Sequence, residues 1–217
     1  MRRTPSSPAS PPAALSALVT VLLAGLLVPA PASAAPAPVT RDHLLTVSDY
    51  VAVYPDMREP SRITQRSPVF APRRCEDQGQ AVRGSSRIFG SVSPGVRRRS
   101  VSLIDQNVVR FRTVAEAGAL VQRYRFFSKH CVGNVATDDG EGGDVLLKNR
   151  AWLPPRVGDE SAGMLICWLQ RGLADWRRVL AVRVGRTVTV LDVSFTDIRP
   201  PRSQVLALGD AAVARLG

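Results

Sequence analysis

Trp176-Arg177-Arg178-Val179-Leu180-Ala181-Val182-Arg183-Val184, then Gly185-Arg186, then Thr187-Val188-Thr189-Val190-Leu191-Asp192-Val193-Ser194-Phe195: the reading of this stretch decides the fold class. Two runs dense in Val, Leu and Thr flank a two-residue turn with glycine first, which is the pattern of a β-hairpin. Upstream, Met164–Gln170 reads as another strand, carrying Cys167 and Trp168, and Gly158-Asp159-Glu160-Ser161 reads as the turn before it. Residues 145–153 read as a short strand that Pro154-Pro155 breaks. Two more extended segments are expected at Arg97–Leu103 and Asn107–Arg112, where Val109 and Phe111 alternate with polar residues. Hairpin-length connections imply a mainly antiparallel sheet.

Helices are expected on either side of these strands in the chain. Thr113 and Glu116 form a Thr-x-x-Glu capping box for a helix over 114–130. Val114, Ala117, Leu120, Val121, Tyr124 and Phe127 make its apolar face, and Cys131 continues that face. A last helix over 203–216 follows Pro200-Pro201, with Val205, Leu208, Ala212, Val213 and Leu216 on one side. A short first helix starts at the N-cap Thr46, with Asp49 three residues on, and ends before Pro55. Residues 56–95 read as irregular. The class is therefore α/β in the α+β sense: one domain, a mainly antiparallel sheet, and helices packed on it, with the two longer helices expected on one side.

The N-terminus reads as an export signal. Arg2 and Arg3 precede an apolar run from Ala13 to Val28, and Ala32-Ser33-Ala34 supplies small side chains for cleavage near Ala34. Residues 1–34 are the expected signal peptide, 35–40 a Pro/Ala linker, and 41–217 the folded domain; the expected location is secreted, in or outside the cell envelope. The net charge is +11, and the basic residues are nearly all Arg, with Lys129 and Lys148 the only lysines. The Arg-for-Lys bias of a GC-rich genome accounts for that composition, and the charge still permits weak attraction to anionic partners such as an anionic polymer or a membrane surface.

No catalytic constellation stands out. A Ser-His-Asp arrangement needs three groups in contact, and the only histidines are His43 and His130. The cysteines Cys75, Cys131 and Cys167 match no zinc spacing, so neither a metal site nor a cofactor is expected. In an oxidising compartment two of them pair, and three pairings are possible. Cys167 sits in an apolar strand, where an inert buried thiol is the default. The acidic loop 137–144 lacks the spaced ligands of a calcium loop and reads as a solvated turn. Asp159 and Glu160 are adjacent acids, which leaves a small secreted hydrolase as an alternative. Arg97-Arg98-Arg99, with Arg73, Arg74, Arg83 and Arg87, forms a basic stretch with Phe89 as its one interleaved aromatic. Nucleic acid is not the expected partner, since single-strand binding wants more stacking rings; docking of anionic envelope partners on this face is the third reading.

The order of these features resembles the extracellular sensor domain of the mycobacterial serine/threonine kinase PknH and its secreted, stand-alone actinobacterial relatives. The residues that carry the resemblance are Leu44-Leu45-Thr46, Cys75, the Val108–Phe111 strand and the long helix from Ala115 to Phe127-Ser128-Lys129-His130-Cys131. Gly158-Asp159-Glu160-Ser161 and Ala181–Val188 complete it. The resemblance implies a layered fold with a curved antiparallel sheet and an accessible cleft, ligand sensing in place of catalysis, and a Cys75–Cys131 disulfide that leaves Cys167 unpaired. Phe127 stands where the family often has Trp, and the 176–196 hairpin lacks the family's second cysteine pair. The expected protein is thus a monomeric, non-enzymatic sensor-like domain for a small-molecule or cell-envelope ligand, with Trp152, Asp159, Trp168 and Arg178 as candidate contacts.

Overall fold

The computed structural model describes residues 37–57, 61–65, 69–71, 75, 80–82, 84–93, 101–138 and 142–217. In chain order these form a 3-10 turn at Arg41–His43, α1 (Val47–Val53), β1 (Ser61–Gln65), β2 (Val69–Ala71), β3 (Gln80–Val82) and β4 (Ser86–Ser93). There follow β5 (Val101–Arg110), α2 (Val114–His130), β6 (Gly133–Asp138), β7 (Asp144–Arg150), β8 (Glu160–Gln170), β9 (Leu173–Val184), β10 (Thr187–Thr196) and α3 (Arg202–Ala214). Eight strands make one antiparallel sheet in the order β1-β4-β5-β10-β9-β8-β7-β6, and β2 pairs with β3 beside it. The signal-peptide reading and the start of the linker lie outside the described residues, and so do Arg73, Arg74, Arg83, Arg97, Arg98 and Arg99 of the basic stretch, which leaves Arg87 as its one described arginine.

The deciding hairpin is β9–β10, turning at Gly185 with φ +54°, and it lies at the middle of the sheet. Its near-continuous apolar runs need cover on both faces, and both faces are covered. Ala162, Met164, Val179, Ala181, Val188 and Val190 meet Ala117, Leu120, Val121, Tyr124 and Phe127 of α2. The alternate residues Leu165, Leu180, Val182, Leu191, Val193 and Phe195 meet Tyr50 of α1 and Val205, Leu208 and Ala212 of α3. This corrects the expectation that the two longer helices share one side: strand alternation assigns them to opposite faces.

Both capping boxes form. Thr113 Oγ1 accepts the Glu116 amide at 3.1 Å while Glu116 accepts the Thr113 amide at 3.2 Å, and Thr46 and Asp49 do the same for α1. Burial favours a raised Asp49 pKa, but the Thr46 hydrogen bonds and the Arg215 guanidinium, 2.7 Å away, hold it below the usual value. That ion pair joins the end of α3 to the start of α1. Gln106, fully buried on β5, accepts the Leu45 amide at 2.7 Å and donates to Thr189 at 3.1 Å. Cys75 and Cys131 are bonded, with Cα atoms 5.0 Å apart, so the end of α2 is tied to the segment between β2 and β3.

The stretch 56–95 is not irregular: β1 to β4 lie there. In β4 the buried positions are Ile88, Gly90 and Val92, and a glycine in that row, with the aromatic Phe89 on the alternate row, conceals the period. The two extended segments expected at 97–103 and 107–112 are one strand, β5, over its described part. Residues 133–138, not read as a strand, form the edge strand β6.

Asp192 of β10 stands opposite Asp105 of β5. Burial pushes the Asp192 carboxyl up to about 6; Arg177 at 3.7 Å opposes the rise, and Asp105 and Asp175 add to it. A folded-state pKa above the unfolded value makes the stabilising contribution greatest below about pH 4, the unfolded carboxylate range, and removes it as pH rises through about 6. Asp192→Asn is therefore expected to raise the urea midpoint at pH 7.5 and to flatten the pH dependence of stability between about pH 4 and 6.5. A lower midpoint would show that the Arg177 ion pair outweighs the burial of the charge.

Candidate functional site

A groove of about 490 Å³ runs between α2 and the chain leading into β8, lined by Arg125, Lys129, Leu153, Pro154, Arg156, Asp159, Glu160 and Ser161. Its outer wall has no regular structure and is held by specific contacts. Ser128 Oγ donates to the Trp152 carbonyl at 3.0 Å and accepts the Trp152 amide at 2.8 Å. Ser161 Oγ donates to the Pro155 carbonyl at 2.9 Å and accepts the Val157 amide at 3.2 Å. The Trp152 indole lies flush on Gly163, where an added Cβ would come within 2.5 Å of the ring. Gly158 turns the chain at φ +61°, and a Cβ there would come within 2.7 Å of the Arg183 carbonyl.

The acids of the groove are already occupied. Arg183 donates to Asp159 at 3.1 Å and to Glu160 at 3.3 Å. Asp159 also accepts the Gly185 amide at 2.7 Å. Glu160 takes a second ion pair from Arg125 at 3.0 Å and a hydrogen bond from Gln122. Arg125 spends another donor on the Ser161 carbonyl at 3.0 Å. Lys129 and Arg156 have no hydrogen-bond or ion-pair partner among the described residues. Leu153 beside them is 59% exposed. The groove thus offers two uncommitted cations and an apolar side chain, with its carboxylates locked to arginines.

The sequence-derived candidates separate. Asp159 lies in this groove. Trp152 is 2% exposed, in the core beneath the groove wall. Arg178 is buried against it, its guanidinium 4.6 Å from the indole centroid. Trp168 lies at the far end of β8, lining a second hollow of about 660 Å³ with Gln170, Arg171, Leu173, Ala174, Asp175 and Thr196. Cys167 is a buried free thiol; burial raises its pKa, against the nearby Lys148. His130 stacks on Phe126 with centroids 4.7 Å apart, and His43 Nδ1 accepts the Thr40 amide at 3.0 Å. Lys129, Arg125 and Arg156 are not among the candidate contacts read from the sequence. Arg125 and Lys129 are four residues apart, on the side of α2 away from its apolar stripe, a spacing that places them together. Arg156 follows the Pro154-Pro155 break, which conceals that the segment folds back onto α2.

No family model and no curated protein matches the chain. Among solved structures, the extracellular domain of PknH from Mycobacterium tuberculosis aligns over 82% of this chain and 98% of its own, with a TM-score of 0.56 and 18% identity. LpqN of the same organism, described as involved in cell envelope biogenesis, aligns over 80% and 95% with a TM-score of 0.27 and 11% identity. The chain, with its eight-stranded antiparallel sheet and helices on both faces, therefore has the fold of the PknH extracellular domain.

Proposed function

We propose that the protein is a secreted, non-enzymatic, sensor-like domain that captures a ligand in or outside the cell envelope. The export signal read in residues 1–34 and the likeness of fold support the setting. The observation that carries the binding is the groove itself, where Lys129 and Arg156 stand unpaired beside exposed Leu153. Two cations next to apolar surface suit an anion attached to a hydrocarbon part. The hydrolase alternative would need Asp159 or Glu160 to leave its arginine partners, and nothing in the groove favours that. No helix among the described residues is long and apolar enough to cross a membrane.

Decanoate and a neutral alkyl glycoside of similar chain length, both below micelle formation, separate the two halves of this reading. Decanoate is expected to raise the melting temperature with concentration and the glycoside to do so far less. The double variant Lys129→Glu/Arg156→Glu is expected to lose the decanoate response. An equal response to the glycoside, or an unchanged one in the variant, would remove the groove as the binding site.

A further inference from the structure

Arg178 is 4% exposed, yet its Nη1 has no hydrogen-bond partner. Its Nε donates to the Pro200 carbonyl at 2.9 Å, which seats the guanidinium at the N-terminus of α3, since the next residue, Pro201, is the helix cap. Proline offers no capping side chain, and the first turn of α3 contains no acid. The leading amides of this 13-residue helix therefore lack the side-chain acceptors that Thr46 and Thr113 give to α1 and α2. The Tyr54 hydroxyl, also buried, has no partner either. Burial, and after it the charges of Arg202 and Arg199 exposed on the same corner, bring the Arg178 pKa down to about 10. Arg199 lies over the Trp176 ring at 4.7 Å, as Arg178 lies over Trp152. Among the described residues no carboxylate forms an ion pair with any of the three arginines.

We infer that this corner is an anion site for a phosphate group, with Arg178 and the α3 amides as its floor and Arg199 and Arg202 as its rim. A helix N-terminus and a forked donor meet the needs of an oxyanion with several acceptor atoms. Three uncompensated positive charges favour a dianion such as a phosphate monoester over a carboxylate. The site is separate from the α2 groove and does not depend on it.

The test is a titration of the purified protein with inorganic phosphate at constant ionic strength, chloride being the balancing anion, read by melting temperature and by calorimetry. A saturable rise in melting temperature is expected. Arg202→Ser is exposed and outside the core, so it is expected to keep the phosphate-free melting temperature while weakening binding about tenfold or more. Arg178→Lys keeps the charge but loses the fork, and is expected to lose the response. Glycerol 3-phosphate and dihexanoyl phosphatidic acid, run in parallel, distinguish a soluble phosphate ester from a lipid headgroup as the source. Lys129→Glu/Arg156→Glu is expected to respond to phosphate as the parent does, which keeps this result independent of the groove. No rise at constant ionic strength, or an undiminished response in Arg202→Ser, overturns the site.

Discussion

Cys131→Ser is expected to cost roughly 2–4 kcal/mol, because it frees a 56-residue loop in the unfolded chain. For a domain of this size each kcal/mol lowers the melting temperature by about 2–4 °C. The loss should be the same for Cys75→Ser and for the double variant, since either change removes one bond. A reductant should bring the parent protein down to the variants and leave the variants where they are. Unequal single variants, or a parent insensitive to reduction, would mean that the bond does not form in solution. The Ala71 carbonyl bound by Arg123 and the burial of Ala71 and Val82 against α2 would then hold that segment alone.

Trp152→Ala is expected to have a larger effect, about 3–5 kcal/mol in urea unfolding. The indole fills the space over Gly163, closes the core beneath α1 and α3, and covers the Arg178 guanidinium. Its removal leaves a cavity and a buried cation without its ring. Trp152→Phe keeps part of the volume and should lose correspondingly less. A change below about 1 kcal/mol for alanine would argue that this ring is not in the core, and would return it to the set of candidate ligand contacts. Gly163→Val tests the same contact from the other side: its side chain has no room unless Trp152 is expelled.

Local chemistry explains what could be read in advance. The boxes Thr46-x-x-Asp49 and Thr113-x-x-Glu116, the Gly185-Arg186 turn and the apolar face of α2 depend on residues within a few positions of one another, and each formed where its pattern placed it, except that Val114, read as part of that face, lies exposed in the first turn of α2. The Cys75–Cys131 bond came with the family resemblance, as did the fold that the PknH likeness shows. What was not legible depends on contacts across the chain. The separation of α2 and α3 to opposite faces is decided by which alternate residues of β9 and β10 each helix meets. The groove depends on Ser128 gripping Trp152 across 24 positions and on Arg183 reaching Asp159 and Glu160. Lys129 and Arg156 become notable only because neighbouring cations found acids and they did not. β4 and β6 are short or interrupted by glycine, and their partners in the sheet define them more than their own composition does.

The strand order has one further consequence. β10, the last strand in the chain, lies between β5 and β9. A ribosome that has released everything up to β9 has delivered two separate half-sheets with no seam between them. The central register therefore cannot close until the final thirty or so residues emerge, a late step of high contact order.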